Sequence, residues 1–357
     1  MDLSGGLAPE LDLPRLEGDE DDPHFGENEA LWLWDAEAQV GFHLYLRTLP
    51  YAYRLRRETI NVFFGGSSVL VSRQDGPGST PDTARGPSLA CRVTEPFVRR
   101  TYSYDATARP TSTAAMREGL LPDGTVVLLS FDIETTMAVP PWVTGTFSTG
   151  EALEQARQSF GGHRYEQLLR ATGTIRVRDC YGAPGIDPFG DRDVTFSAVG
   201  LRTHRMGSRN LTSFPGHTWL TGLFPSGRAF GLMRFCGADG VPHWEEAVVF
   251  DGERYHPARV SDATLFSQEL PGEALTAVLE SDLGQWSVTG KLEATNFVSA
   301  MPPEPQRWGI DRSRGIQRIM KQGVATFGLD GEAGAGMVER SVMVSDMPAL
   351  SPDRAAG

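Results

Sequence analysis

Cysteine is scarce and scattered. Cys91, Cys180 and Cys236 are the only three in the 357-residue chain, and no CxxC pair occurs. An odd, sparse count excludes a disulfide framework and fits a reducing compartment. Long apolar runs are missing as well. No stretch approaches the roughly 20 apolar residues that a membrane span needs. Met1 to Asp22 has neither a basic start nor an apolar core of the signal-peptide kind, so a cytoplasmic protein without a membrane span is expected. No basic stripe is present to neutralise phosphates, which excludes nucleic acid as a partner. The seven histidines show neither HxH nor HxxxH spacing, and no metal is expected. GxGxxG opening a helix, GxxxxGK[ST], HExxH and GxSxG are all absent, which disfavours a nicotinamide, ATP or flavin enzyme of a standard fold; no cofactor is expected.

What is present is acidity at one end and many turns. The net charge is −13, and residues 1–30 hold ten acidic side chains against one arginine, so that segment carries −9 and the remainder −4. A leader rich in Gly, Pro and Asp buries little apolar surface, and a flexible acidic segment over 1–22 is expected. Glycine (40 residues) and proline (24) punctuate the chain into short aromatic or β-branched runs. Val40, Phe42, Leu44 and Leu46 recur with the period of two that places them on one strand face. Thr59 to Phe64 and Ser67 to Ser72 are joined at Gly65-Gly66, a hairpin turn that accepts positive φ. His217 to Phe224 and Ala229 to Phe235 form a second hairpin. The clearest helix is Glu151 to Phe160, capped by Ser148 or Thr149 and stopped by Gly161-Gly162. Strand after strand at turn spacing predicts a mainly β protein with two sandwich or barrel domains. The expected division is 23–147 for the first domain, 148–162 for a connecting helix, 163–346 for the second and 347–357 for a tail.

Two polar groupings stand out. Asp191, Arg192 and Asp193 close a turn-rich loop that begins at Tyr181. Two carboxylates flanking a guanidinium can do acid–base work when one is desolvated, or they can pin the loop by an ion pair. His217, Trp219, Trp244 and Glu245 lie on later strands, and His217 and Trp219 share a face; they line a pocket or pack a half-buried strand. Trp32 and Trp34 share a face of the first strand, opposite Leu31 and Leu33.

Several segments resemble a known family. Asp22-Pro23-His24-Phe25-Gly26-Glu27-Asn28 resembles a DPxFNES opening, Tyr165-Glu166-Gln167 precedes a Gly-x-Ile strand, and Phe189 to Asp193 resembles the start of a GxRDHSWG motif. Leu329 to Ser341 resembles a closing LDGxxGxGxxERS. In order and spacing they are similar to a bacterial family of two-domain lipocalin-like proteins, largely of unknown function. That family is distantly similar to carotenoid 1,2-hydratase (hydroxyneurosporene synthase). The resemblance implies two tandem lipocalin-like β-barrel domains with an apolar ligand pocket in or between them. It also implies a cofactor-independent hydratase, dehydratase, isomerase or cyclase acting on a hydrophobic terpenoid-, polyketide- or steroid-like molecule. The chain departs from the pattern where Val194-Thr195-Phe196-Ser197 replaces His-Ser-Trp-Gly. The candidate catalytic residues are Asp191, Asp193 and Arg192, with His217 and Glu245 behind them; Trp32, Trp219, Trp244, Phe196 and Tyr165 are candidates for the pocket wall. The alternatives are a non-catalytic carrier or sensor of a lipophilic molecule, and an interaction module. A homodimer is a candidate assembly.

Overall fold

The computed structural model describes residues 1–19, 21–22, 25–49, 52–119, 126–151, 153–154, 162–179, 190–208, 216–236, 242–263, 270–300, 307–310 and 318–343. Eleven strands form the first sheet: β1 (Gly26–Asp35), β2 (Val40–Leu49), β3 (Ala52–Phe64), β4 (Ser68–Pro77), β5 (Thr83–Arg85), β6 (Ala90–Glu95), β7 (Arg99–Ser112), β8 (Val127–Met137), β9 (Trp142–Val143), β10 (His163–Asp179) and β11 (Arg192–Gly207). Nine form the second: β12 (Gly216–Leu223), β13 (Ala229–Cys236), β14 (Pro242–Phe250), β15 (Tyr255–Ala263), β16 (Ala274–Ser281), β17 (Gly284–Ala300), β18 (Arg307–Trp308), β19 (Arg318–Leu329) and β20 (Glu332–Met343). A short helix, α1 (Thr113–Arg117), is capped by the Ser112 hydroxyl, which accepts from the Ala115 N–H at 3.0 Å. No helix among the described residues is long and apolar enough to cross a membrane.

Each sheet closes on itself. In the first, the path β4-β3-β2-β1-β11-β10-β8-β7 returns from β7 to β4; in the second, β16-β15-β14-β13-β12-β20-β19-β17 returns from β17 to β16. Every strand pairing along these two paths is antiparallel, and the result is two eight-stranded barrels. Closure leaves these strands no free edge. Both hairpins expected from the sequence are present, as β3–β4 and β12–β13. Gly66 takes φ 84° at the first turn. The barrels are also drawn tight at glycines: a Cβ on Gly200 would lie 1.8 Å from the Trp32 carbonyl oxygen, and one on Gly336 would lie 1.8 Å from that of Thr221.

The pleat sorts the side chains into three cores. Leu31, Leu33, Phe42 and Phe131 fill the first barrel, and Leu220, Phe230, Val249 and Phe327 fill the second. The third core collects outward-facing residues of both, among them Trp32, Trp34, Trp142, Trp219 and Trp244, in a seam between the barrels.

Two expectations need correction. The joint expected over 148–162 is not where the sheets divide. Strands β10 and β11 complete the first barrel, and the second begins with β12, after Gly207. The reason is edge pairing: without β10 and β11, strands β1 and β8 would be left open. Of the helix expected over Glu151 to Phe160, the described residues 151, 153 and 154 are helical, and the rest lies outside the described residues, as does the tail 347–357.

The acidic leader is also not free. A 3₁₀ turn, Pro9–Asp12, leads into one end of the first barrel, where Asp12 is buried. Its Oδ1 accepts from Arg100 Nη2 at 2.6 Å and Arg202 Nη2 at 2.5 Å, and from the Tyr165 hydroxyl, while Oδ2 accepts from the Phe97 N–H at 2.5 Å. Burial alone would raise this carboxyl, but the two guanidinium groups hold it far below the ordinary range. Gln167 Nε2 ties Leu3 to the same end by donating to its carbonyl at 3.0 Å. Composition marks this segment as unable to build a core of its own; it uses the barrel's instead.

Replacing Asp12 by Ala leaves two buried arginines with Glu29 as their remaining shared anion and should cost about 3 kcal/mol. Replacing exposed Asp19 should stay within about 0.5 kcal/mol. Urea unfolding at neutral pH checks both, and equal, small effects would mean a loose leader. A depressed carboxyl stabilises fully above its unfolded pKa near ~3.9, and the contribution drains as pH falls below that value. The Asp12→Ala variant should therefore lose part of the wild type's acid sensitivity.

Candidate functional site

The strand register lays out the seam wall of the first barrel as parallel cross-strand rows. One row runs Arg170–Val199–Trp34–Gly41–Phe63–Val69 and is apolar apart from exposed Arg170 at its edge. The next runs Leu168–Leu201–Trp32–His43–Asn61–Val71, and the third Glu166–Thr203–Ala30–Tyr45–Thr59–Arg73. The facing wall of the second barrel has the row Gln322–Glu339–Trp219–Met233–Glu246 beside Ser341–His217–Phe235–Trp244. Trp32 meets Trp219 edge to face, with ring centres 5.3 Å apart. Polar atoms cross the seam too: Trp142 Nε1 donates to Glu246 Oε1 at 2.8 Å, and Trp308 Nε1 to Asn61 Oδ1 at 3.2 Å.

Glu166 is a carboxyl that this environment moves toward neutrality. Its carboxyl is buried, and burial pushes it up to about 7 against the opposing pull of Arg164, whose Nη2 lies 3.0 Å from Oε1. The Trp219 indole N–H favours the anion from close by without completing a hydrogen bond, and the charge of Glu246 raises the carboxyl further. Oε2 has no hydrogen-bond partner among the described residues, and neither has Thr221 Oγ1. Both residues line one small cavity with Trp142, Phe230, Val248 and Tyr255. Its volume, about 10 Å³ for the centre of a water molecule, is room for about one water. Two polar atoms unsatisfied at an apolar void of that size are what a bound water would satisfy. Burial and the charge of Glu166 raise the Tyr255 phenol well above its ordinary range, so it stays a donor, here to the Pro140 carbonyl at 3.0 Å.

A second polar group lies deeper. Trp308 donates to Asn61 Oδ1, so the Asn61 Nδ2 is turned toward His43 Nδ1, 3.1 Å away. Asn296 Nδ2 approaches the same ring nitrogen at 3.4 Å. An Nδ1 that accepts leaves the proton on Nε2, so the neutral Nε2–H tautomer is assigned. Burial lowers the ring to about 4, although the charge of Glu339 pulls upward. Glu339 is held by His217 Nε2 at 2.9 Å and Gln322 Nε2 at 2.9 Å; burial alone would raise its carboxyl, but these partners bring it down to about 2. His217 Nδ1 faces Ser341 Oγ at 2.7 Å.

The structure brings together some of the residues singled out from the sequence and disperses others. Trp32, Trp219, Trp244 and His217 all reach the seam. Asp191, Arg192 and Asp193 do not. Asp193 is exposed and pairs with Arg178 Nη2 at 2.7 Å, Asp191 is exposed and accepts from the Asp179 N–H at 3.1 Å, and Arg192 lies over the Phe64 ring at 4.9 Å. They pin a strand end in high dielectric, where no carboxyl is desolvated; residues 180–189 of that loop lie outside the described residues. Glu245 faces the interior of the second barrel, with Arg234 Nε 2.6 Å away, because it alternates with Glu246, which takes the seam. Phe196 packs inside the first barrel on Phe42, with ring centres 5.0 Å apart, and Tyr165 points inward to Asp12. Glu166, Glu339 and His43 were missed, yet two of them sit in quoted motifs: Glu166 in Tyr165-Glu166-Gln167, and Glu339 and Ser341 in the closing ERS. Among the described residues, no group of three His, Cys, Asp or Glu is arranged to hold a metal.

A family model matches residues 10–343. The chain belongs to the family described as Domain of unknown function (DUF7064). No curated protein sequence matches it. A crystal structure of an AttH protein from Nitrosomonas europaea is similar at 15% identity with a TM-score of 0.52, covering 94% of this chain and 99% of that one. CghA with Sch210972 is similar at 11% identity and a TM-score of 0.49, covering 89% of this chain and 88% of the other. Kievitone hydratase from Nectria haematococca shows 11% identity, a TM-score of 0.46 and coverage of 89% and 88%. At such identities the likeness to the AttH protein is one of fold: the tandem-barrel plan of this family extends over its whole length.

NMR titration of the His43 ring should return a pKa near 4 with the proton on Nε2 at neutral pH. A value near the ordinary ~6.5 would mean that water reaches the seam. Because the folded value is depressed, the associated stability is present above pH ~6.5 and is lost as pH falls toward 4. A His43→Gln variant should lack that part of the pH dependence.

Proposed function

We propose that the seam is the site of a cofactor-independent acid–base enzyme acting on a hydrophobic small molecule, and that Glu166 is its acid. The observation that carries this is a buried carboxyl that lines a cavity of water size, has one oxygen without a hydrogen-bond partner among the described residues, and is pushed up to about 7. A carboxyl in that range holds a transferable proton at neutral pH, where an exposed one has lost it. The hydratase class fits best. The Glu166 proton goes to one carbon of a substrate double bond and forms a C–H bond; the cation left on the other carbon is stabilised by the aromatic faces of Trp142 and Tyr255. The oxygen of a cavity water then forms the C–O bond, and the water's proton returns to the Glu166 carboxylate. Dehydration is the reverse; isomerisation follows when the cation loses a proton from a different carbon to the Glu166 carboxylate, and cyclisation when a second double bond attacks the cation and the new cation loses a proton to that carboxylate. Substrate entry requires the lining side chains to part, since the cavity takes about one water.

Native mass spectrometry of protein purified from its host, followed by incubation, reports a carried ligand and its conversion. Glu166→Gln should lower conversion by about 10²–10⁴-fold. Asp191→Asn and Asp193→Asn should leave it unchanged. The rate in wild type should fall as pH rises above about 7, as the acid deprotonates. Unchanged conversion in Glu166→Gln would remove it from the mechanism, and saturable binding without conversion would make the protein a carrier.

A further inference from the structure

The row beyond Glu166 on the same wall runs Arg164–Arg205–Asn28–Arg47–Arg57–Asp75 across six strands. Arg73, at the end of the Glu166 row, joins it. Within the row Arg164 stands directly opposite Arg205, and Arg47 directly opposite Arg57. Like charges directly opposite on neighbouring strands destabilise a sheet, so this arrangement works against folding. The crowding is felt by the groups themselves. Burial, with Arg57 and Arg47 close by, pushes the Arg73 guanidinium down to about 10; burial, with Arg164 and Arg47, does the same to Arg205. Asp75 meets Arg57 with Oδ2 2.6 Å from Nη2, Glu166 meets Arg164, and Asn28 Oδ1 accepts from Arg205 Nε at 2.9 Å. Arg164 belongs to this row and is also the ion-pair partner of Glu166.

Four consecutive rows therefore grade one wall, exposed Arg170 at the edge of the first apart, from apolar, through tryptophan and histidine, to a partly buried bank of guanidinium groups. That is the profile of a ligand with an apolar body and an anionic head. We infer that the seam selects hydrophobic molecules bearing a carboxylate or phosphate head, with Arg47, Arg73 and Arg205 holding the head and the tryptophan-bearing rows holding the body. Arginine is suited to this, because its planar fork meets carboxylate and phosphate oxygens in pairs. The head sits beside Arg164, which fixes which end of the molecule lies at Glu166. The inference rests on the seam being the ligand site, and it names the chemical class that the site takes.

The test is binding of three probes of equal chain length to the full-length protein by calorimetry: laurate, dodecyl phosphate and 1-dodecanol. At least one anionic probe should bind about tenfold or more tightly than the alcohol, and the better of the two identifies the head. The preference should shrink as sodium chloride is raised. Arg47→Gln, Arg73→Gln and Arg205→Gln should each remove most of it while leaving dodecanol binding unchanged, and Arg99→Gln, exposed on β7, should leave it intact. Each glutamine relieves like-charge repulsion, so folding is expected to survive, and the salt dependence of the wild type is a readout that needs no variant. Equal binding of alcohol and anions, or a preference untouched by the three substitutions, overturns the inference. An anion preference that persists in Glu166→Gln, in a protein that converts no carried ligand, keeps this inference and rejects the catalytic one. Conversion that depends on Glu166 without any anion preference does the reverse.

Discussion

The edge-to-face contact of Trp32 with Trp219 is the point through which the molecule is organised. Each barrel has a filled interior, and a barrel can stand with only that. Here both also carry a large apolar stripe on the outside: Trp34, Phe63 and Val69 on one, Leu223, Met233 and Val248 on the other. Left in water, such stripes would cost stability or invite aggregation. Packed together they make a third core, and any polar group caught inside it has to find a partner or change its protonation state. Glu166, His43 and Glu339 answer that demand differently. Glu166 rises toward neutrality, His43 loses its charge, and Glu339 keeps its charge by pairing with His217 and Gln322.

The same constraint separates structural from functional groups in the seam. His217, Glu339, Ser341 and Gln322 form a chain in which the two carboxylate oxygens and both ring nitrogens have partners at ordinary hydrogen-bond distances. Such a network rigidifies the joint. Glu166 is satisfied on one side, lines the cavity, and has a remaining oxygen without a hydrogen-bond partner among the described residues. A buried acid with one satisfied and one open oxygen has the geometry of a proton donor, because it is oriented by Arg164 and still able to reach another molecule.

Much of the fold was legible in residues 26–72 and 216–236, where period-two alternation and turn glycines give strands and hairpins directly. The closing motif was legible too, and it carries Glu339 and Ser341. The division into domains was not. Helix-forming residues after Pro140-Pro141 look like a joint, but edge pairing, which no local pattern reports, draws β10 and β11 back to the first barrel. The leader misled for a related reason. Its composition says that it cannot fold alone, which is true, and composition is silent about a socket built by Arg100 and Arg202, some 90 and 190 positions downstream. The candidate site failed where alternation had to be read with the correct hand. Asp193 and Glu245 were chosen for their neighbours in sequence; Glu245 lies on the face turned away from the seam, and Asp193, though on the seam's face of β11, lies at the exposed far end of the strand.

The amino-acid sequence by itself determined the mainly β architecture, the tandem plan and the aromatic investment in strands β1 and β12, because these follow from local periodicity, turn chemistry and composition. Tertiary structure alone decided which tryptophans meet, which of Tyr165 and Glu166 faces the seam, and that a glutamate rather than the exposed Asp191–Asp193 pair is desolvated. A carboxyl's acidity depends on the dielectric and charges around it, and those are set by residues brought from both barrels. Neighbours such as Trp219 and Tyr255 lie far along the chain from Glu166, and closure of the two barrels is what places them at its side.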